Sequence, residues 1–374
     1  MKRAFGLLIV WGLTLGLLAS LVLGVGFIGS RLMRPLLSPN APAITIEIPS
    51  GTDAQRIARI ADAAGAQLDP MLFAWIARLR GQARDIKAGE YQITAQDRLL
   101  TFLDRLVAGD VVRYRLTITE GSTAQDFLNA LAAEPALTHT LQGLNSAQMI
   151  KALNLPIMNL EGWLFPDTYI FTRGTTDRKI LQEAYRSMKT HLDAAWATRA
   201  PNLPLKTPYD ALILASIVEK ETGLPAERAE VAGVFVNRLN LGMRLQTDPA
   251  VIYGVALASL GQVDEQTAPR SLTATQLRSD TPYNTYLHTG LPPTPIALPS
   301  EAALQAVTQP AATDALYFVA NGTGGHTFSR TLQGHNQAVQ TWRRVENQRN
   351  TPAQNPAKDP VISPKTHEQP VKTP

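Results

Sequence analysis

The chain has 374 residues, 45% of them apolar, no cysteine and a formal net charge of +4. This length predicts roughly two or three folded units, and the lack of cysteine excludes disulfides, cysteine-ligated metals and thiol nucleophiles. The excess charge lies in Lys2, Arg3, Arg31 and Arg34, since no acid lies among the first 34 residues, so the formally neutral body has no excess charge to draw it to nucleic acid.

The N-terminal segment predicts a membrane anchor over residues 1–34. No side chain from Ala4 to Ser30 is charged, and most are Leu, Val, Ile, Gly or Phe. About 20 apolar residues span a bilayer, whereas the apolar region of a cleaved signal peptide has only ~7–15. Charges flank both ends and leave the orientation open. The short head and the cysteine-free body favour an extracytoplasmic C-terminal part.

Proline-rich segments bracket the body. Pro35, Pro39 and Pro42 predict a stiff spacer over 35–43. Residues 346–374 combine prolines with polar residues and predict a disordered tail.

The region 44–155 contains an internal repeat. The first copy has Ile46, Ile48, Gly51, Ala54, Gln55 and Ile57, and 70 residues later the second has Leu116, Ile118, Gly121, Ala124, Gln125 and Phe127. Each copy predicts a strand, a tight turn and a helix. Such units resemble LysM-type carbohydrate-binding modules, and a plain α+β spacer domain fits the pattern as well.

The segment 161–169 places three aromatic residues around a glycine and a proline. Aromatic packing that fixes a loop explains this pattern, and so does a wall on which sugar rings stack. The residues alone favour the structured loop.

The segment 211–222 predicts a buried helix, because its first two turns are apolar on all sides. Glu219 and Glu221 emerge from its last turn on different stripes. A carboxyl leaving an apolar wall is a candidate general acid. The alternative is that one or both acids pair with Arg238 or Arg244, and helix geometry does not choose between the two glutamates.

Two later segments predict a binding rim. Asp248 precedes Pro249, which suits a helix cap better than a catalyst. Gln246 and Thr247 lie just before it and can donate to a ligand, and the stretch from Pro282 to Ile296 supplies aromatics, an amide and a stiff loop. His326 and His335 lack partners at metal-ligand spacing, so no metal is expected there.

The order of these motifs resembles the endolytic murein transglycosylase family, the YceG-like proteins. The motifs are Glu-Gly-Trp-Leu-Phe-Pro-Asp-Thr-Tyr (161–169), Ala-Ser-Ile-Val-Glu-Lys-Glu-Thr (215–222), Val-Phe-Val-Asn-Arg-Leu (234–239), Gly-Met-Arg-Leu-Gln-Thr-Asp-Pro-Ala-Val-Ile-Tyr-Gly (242–254), Tyr-Asn-Thr-Tyr (283–286) and Gly-Leu-Pro-Pro (290–293). The segment 317–328 fits as well. The resemblance covers nearly all of the chain except the tail.

The resemblance implies an α+β chain: one transmembrane helix, LysM-like modules and a mixed α+β catalytic domain over 156–345 with a central buried helix. It implies a lyase that cleaves peptidoglycan glycan strands, with the body outside the cytoplasmic (inner) membrane, no cofactor, and peptidoglycan synthases as partners. Within that family pattern the first glutamate of the 215–222 motif, Glu219, is the catalytic acid. Gln246, Tyr283, Asn284 and Tyr286 are the expected substrate contacts.

The chain departs from the family pattern in one loop, where Thr294 and Ser300 stand at positions that are usually glycine. Two other function classes fit the residues. One is a glycan-binding envelope scaffold without catalysis. The other is a muramidase that hydrolyses the bond with Glu221 or Asp248 as a second carboxylate.

Overall fold

The computed structural model describes residues 2–350, with side chains for 11–346. The chain is mixed α+β and divides into two compact units. The first contains residues up to 190 together with 260–268, and the second contains 191–259 and the chain from 269 onward. From residue 351, the predicted disordered tail lies outside the described residues.

The first helix, α1 (Lys2–Met33), is the predicted anchor segment. Its stretch Trp11–Met33 is 23 residues long with a mean hydropathy of 2.0, and none of it is buried in the protein. A helix of this length and composition is long enough to cross a bilayer. Two residues of the expected spacer, Leu36 and Leu37, lie in the core of the unit that follows, at 2% and 4% exposed.

The first copy of the repeat is a strand, two helices and a returning strand: β1 (Ile44–Ile48), α2 (Ala54–Ala63), α3 (Pro70–Leu79) and β2 (Gly89–Ile93), followed by α4 (Leu99–Ala108). The strands pair antiparallel with Ile46 opposite Tyr91. Asp53 and Asp69 cap the two helices through backbone N–H groups. Side chains of both strands and all three helices share one core.

The second copy repeats this order: β3 (Tyr114–Thr117), α5 (Ala124–Ala133), α6 (Ser146–Leu153) and β4 (Thr168–Phe171). β3 and β4 pair antiparallel, with Leu116 opposite Tyr169. The closing strand therefore comes from beyond residue 155, out of the aromatic segment 161–169. Tyr169 packs its ring against Phe127 of α5, with centroids 5.5 Å apart. This contact makes the segment part of the repeat's core.

The long helix α7 (Asp177–Ala197) leads into the second unit, whose elements are α8 (Pro208–Glu221), α9 (Arg228–Asn240), α10 (Asp248–Leu260), a 3-10 turn (Gln276–Arg278), α11 (Glu301–Thr308), β5 (Tyr317–Ala320), β6 (His326–Ser329) and α12 (Leu332–Asn350). Thr207 starts α8 with a capping box, and residues 211–218 are all buried. The predicted buried helix is thus confirmed. It packs against α9 and α11, and the hairpin of β5 and β6 packs against α12.

Candidate active site

The second unit contains a polar cleft of about 550 Å³ at the C-terminal end of α8. Its lining residues are Glu221, Arg238, Leu245, Gln246, Asp248, Tyr286, Tyr317, Phe318, Val319, Leu332, His335 and Asn336. They come from α8, α9, α10, the hairpin and α12, and from the loop around Tyr286. The cleft thus gathers segments that lie far apart in the sequence, as a binding site does.

Glu221 is the last residue of α8, and its carboxyl lines this cleft. Burial raises the pKa of the Glu221 carboxyl to about 7, and the charge of Asp248 adds to the rise, while Thr247, His326 and Arg238 oppose it. The Thr247 hydroxyl is itself buried, with no hydrogen-bond partner of normal geometry among the described residues. A carboxyl with this pKa holds its proton for part of the time at neutral pH, which suits a general acid.

Asp248 and Tyr286 form a hydrogen-bonded pair within the lining of the cleft. The Tyr286 hydroxyl donates to Asp248 Oδ1 at 2.7 Å. Burial and the Asp248 carboxylate raise the pKa of Tyr286, so its hydroxyl stays protonated and available as a donor. Asp248 lies in the first turn of α10, as its cap position predicted, and its side chain also faces the cleft.

Gln246 reaches the cleft through an unusual backbone conformation. Its φ is +53°, a left-handed value that few non-glycine residues adopt. Its amide N–H donates to the carbonyl of Thr285 at 3.1 Å, and Thr247 N–H donates to the Thr285 hydroxyl at 3.0 Å. These bonds hold the turn, so the strained conformation is stabilised by its surroundings.

Arg238 forms one wall of the cleft. Its guanidinium donates to the carbonyls of Leu316 and Leu245, at 2.6 and 2.7 Å, and lies 5.2 Å from the ring centre of Tyr317. His335 also stacks on Tyr317, with the two ring centres 5.3 Å apart. Burial lowers the pKa of His335, with Arg238 adding to the effect, so the ring is neutral at physiological pH.

Glu219 does not line the cleft; it is bound within the protein. Its side chain is 5% exposed, and Oε1 accepts from Arg228 at 3.2 Å. Oε2 accepts from the Ser300 amide at 2.9 Å and from the Ser300 hydroxyl. The partners are therefore Arg228 and Ser300, not the arginines expected from the sequence. With both oxygens bound, this carboxyl connects α8 to α9 and to the start of α11.

Two of the four expected substrate contacts are engaged inside the protein. Asn284 is fully buried, and its amide donates to the carbonyls of Leu277 and Ser279. The Tyr283 ring packs against Tyr253, and its hydroxyl shares a hydrogen bond of 2.8 Å with Thr294. These two residues shape the loop that presents Tyr286. Gln246 and Tyr286 are the two that line the cleft.

Arg238, Tyr317 and His335 also line the cleft, although no sequence motif marks them as binding residues. No spacing in the sequence links His335 to α8. His326, from the same region, forms a hydrogen bond between its Nδ1 and Glu227 Oε2 at 2.7 Å, so it connects the hairpin to the residue before α9. One signal in the sequence indicates this wall of the cleft. The arginine of the 234–239 motif follows a run of apolar residues, and a buried arginine needs hydrogen-bond acceptors.

Comparisons with known proteins show what the chain is similar to. A sequence model described as the YceG-like family matches residues 46–341. An endolytic murein transglycosylase from Bacillus subtilis is 28% identical over 348 residues, which covers 88% of this chain and 93% of the relative. One from Streptococcus pneumoniae is 30% identical over 337 residues and covers 82% of this chain and 60% of the relative.

A solved structure supports the fold. A crystal structure of a YceG-like protein from Listeria monocytogenes superposes with a TM-score of 0.50 at 29% identity, covering 79% of this chain and 98% of the other. Because the family model spans most of the described residues, from the first repeat to α12, the match is not confined to one motif. The chain belongs to the YceG-like family.

Proposed function

We propose that the chain is an endolytic murein transglycosylase, which cleaves the bond between N-acetylmuramic acid and N-acetylglucosamine within glycan strands. The observation that carries the proposal is Glu221, a carboxyl whose pKa is raised to about 7 at the wall of a polar cleft in a chain of the YceG-like family. The relatives from Bacillus and Streptococcus carry the name of this activity.

The general acid is Glu221, in place of Glu219, the residue that the family motif indicated. A general acid must reach the oxygen that it protonates. Glu221 faces the open cleft, whereas the two oxygens of Glu219 are held by Arg228 and Ser300. Freeing Glu219 would break three hydrogen bonds and leave Arg228 without its charge partner.

The proposed reaction needs one carboxyl and no water. Protonated Glu221 gives its proton to the bridging oxygen, and the bond from that oxygen to the anomeric carbon of the muramic residue breaks. The C6 hydroxyl of the same residue attacks that carbon, and its proton passes to the Glu221 carboxylate. The products are a free 4-hydroxyl on one strand and a 1,6-anhydro ring on the other, and the acid is regenerated for the next cycle.

The other cleft residues bind and orient the glycan. Gln246 and Tyr286 present an amide and a hydroxyl to it, and the Asp248 carboxylate stabilises positive charge as it develops at the anomeric carbon. Tyr283 and Asn284 contribute indirectly, by holding the loop that carries Tyr286.

A muramidase that hydrolyses the same bond is the second candidate, because Glu221 and Asp248 line one cleft. A hydrolase needs its second carboxylate to attack carbon or to activate water. Asp248 Oδ1 is already engaged by the Tyr286 hydroxyl, and the names of the relatives favour the lyase. A non-catalytic scaffold is disfavoured by the raised pKa of Glu221, which a binding protein does not need.

The rest of the chain suits an enzyme that works at the membrane surface. We propose that α1 anchors the body outside the cytoplasmic membrane, where peptidoglycan lies, and that synthases of the glycan strand are neighbours. The two strand–helix–helix–strand repeats support a LysM-like glycan-binding region that begins at residue 44. We keep 156–345 as the proposed extent of the catalytic region, which shares the strand β4 with the second repeat.

The products of digestion test this function. The full chain in detergent is incubated with purified uncrosslinked glycan strands, and the new ends are read by mass spectrometry. The proposal predicts 1,6-anhydro ends, which are lighter than hydrolysed ends by one water. Reducing ends in their place would establish the muramidase, and intact strands that bind without cleavage would establish the scaffold.

A further inference from the structure

Helix α3 carries an exposed apolar stripe. Met71, Trp75 and Leu79 are 76%, 51% and 67% exposed. They are spaced four residues apart, which places them on one face of the helix. The opposite face packs into the core of the first repeat through Phe73, Ala74, Ile76 and Ala77. Helix α3 therefore has two apolar surfaces: one packs into the core, and the other, the stripe, is exposed.

Backbone hydrogen bonds tie this helix to the end of the proposed anchor. α1 ends at Met33, and Leu36 follows within about 10 Å of chain. The Leu36 N–H donates to the Asp97 carbonyl at 2.8 Å, and its own carbonyl accepts from Gln67 N–H at 2.7 Å. Gln67 lies two residues before Asp69, the cap of α3. The start of α3 therefore lies close to the C-terminal end of α1, without a flexible linker between the two helices.

Side-chain packing strengthens this connection. Leu36 and Leu37 are buried in the core of the first repeat, and Leu32, still within α1, packs against the same core. The repeat is consequently fixed to the last turn of α1 and cannot swing away from the bilayer that α1 crosses. With α1 across a bilayer, the residues near the start of α3 lie close to the membrane surface.

The residues of the stripe have the chemistry of an interfacial contact. Tryptophan is enriched at the level of the headgroups, where its apolar ring and its N–H group both find a suitable environment. Arg78, in the last turn of α3, is exposed on the same face, seven residues after Met71. An arginine beside an apolar stripe can extend its charge to anionic headgroups while its stem lies along the acyl boundary.

We propose that the Met71, Trp75 and Leu79 face of α3 inserts into the outer headgroup region of the membrane that α1 spans. The inference rests on the proposed anchor. This second contact fixes the tilt of the body over the bilayer, and so sets the height at which the body meets glycan strands. The partner is the lipid surface itself, with anionic headgroups at Arg78.

The absence of native cysteine allows a direct test with the full chain. Single cysteines at Met71→Cys, Met158→Cys and Leu21→Cys are labelled with an environment-sensitive fluorophore, and the chain is reconstituted into vesicles of phosphatidylcholine and phosphatidylglycerol. Met158 is the matched control: the same residue type in the same unit, 95% exposed and outside the stripe. Leu21, within α1, reports insertion of the anchor.

The inference predicts that lipids with a nitroxide near the headgroup quench the probe at 71 by about twofold or more and leave the probe at 158 unquenched. Adding Trp75→Ser should reduce the quenching at 71. If nitroxides deep in the bilayer quench the probe at 21 but the probe at 71 is as unquenched as the probe at 158, the stripe does not contact lipid. The inference then fails, while the proposed anchor stands. If the probe at 71 reports an apolar environment but the nitroxide lipids do not quench it, protein covers the stripe. That result also overturns the inference. An unquenched probe at 21 overturns the anchor itself.

Discussion

Glu219 and Glu221 are two residues apart on one helix and have unlike surroundings. Glu219 is held by Arg228 and Ser300, whereas Glu221 leaves the end of α8 and faces the cleft. Identical side chains thus acquire different roles from their partners alone, one as a connector and one as a candidate acid. Ser300, which departs from the family pattern, contributes its hydroxyl to the connector.

Asp248→Asn tests whether the neighbouring charge sets the ionisation of Glu221. Asp248 helps to raise the pKa of Glu221 to about 7. Removing that negative charge should lower this pKa, so the acid loses its proton at a lower pH. The alkaline limb of the kcat/KM profile for glycan cleavage should therefore move down, by about one pH unit or less.

Tyr286→Phe is the matched control, because it removes the hydroxyl bound to Asp248 and leaves the charge. Its alkaline limb should stay near that of the unchanged protein even if KM rises. An Asp248→Asn profile with an unmoved alkaline limb would mean that Asp248 does not influence the acid.

At the scale of elements, the start of α11 provides a second test. Ser300 caps this helix, and its hydroxyl accepts from Ala303 N–H at 3.1 Å. Ser300→Ala should lower the free energy of unfolding by about 1 kcal/mol, and Ser300→Gly by only a few tenths, since glycine is tolerated at a cap. Denaturant unfolding of the full chain in detergent measures both.

Both variants keep the amide at position 300 that binds Glu219, so both should still form anhydro ends. If Ser300→Ala and Ser300→Gly lowered the free energy of unfolding equally, the hydroxyl's hydrogen bond to Glu219 would contribute more to stability than its role as the helix cap. Loss of cleavage in both, with the fold intact, would restore Glu219 as the candidate acid and give Ser300 a part in positioning it.

The elements that the sequence predicted well are those with a local signal. The buried helix over 211–222 is α8, and the repeat signal located β1, β3, α2 and α5, because apolar period, turns and caps lie within each segment. The pairing of β3 with β4 is not local: its two strands are separated by two helices and a loop. That separation is why the sequence predicts a repeat region that ends at residue 155, before its closing strand.

The cleft could be predicted only in part, for the same reason. Gln246 and Tyr286 were expected from motif position, and both line it. Arg238 and His335 are brought there by packing of α9 and α12 against the hairpin, which no spacing in the sequence reveals. The choice between Glu219 and Glu221 depends on Arg228 and Ser300, one from the next helix and the other from a loop about 80 residues away.

At the scale of the whole molecule, the ionisation of Glu221 links activity to stability. The ordinary value of its pKa is 4.5, and the folded protein raises the pKa to about 7. The folded chain therefore keeps a proton that the unfolded chain releases. The stability from this proton is complete below the unfolded value and is lost as the pH rises through about 7.

Glu221→Gln removes this titration. It should raise the free energy of unfolding by at most about 3 kcal/mol at about pH 8 and leave it nearly unchanged at about pH 4, where both forms are neutral. Thermal or denaturant unfolding across this pH range measures the difference. A variant that is less stable than the unchanged protein at every pH would contradict a buried, partly protonated acid.

The net positive charge is distributed unevenly along the chain. All of the excess lies in the four basic residues that flank the apolar segment of α1, and the body is formally neutral. A neutral body suits a glycan of mixed charge, and in the proposed placement α1 and the stripe of α3 hold that body at the membrane surface. The proposed placement thus follows from the substrate and from the tie between α1 and the first repeat, not from the charges alone.

The choice between the two glutamates is decided by the glycan ends that the unchanged chain, Glu219→Gln and Glu221→Gln produce. Mass spectrometry identifies the ends, and circular dichroism is the control for folding. We expect anhydro ends from the unchanged chain and from Glu219→Gln, and none from a folded Glu221→Gln. Anhydro ends from Glu221→Gln, with their loss in a folded Glu219→Gln, would contradict this expectation and restore Glu219 as the acid.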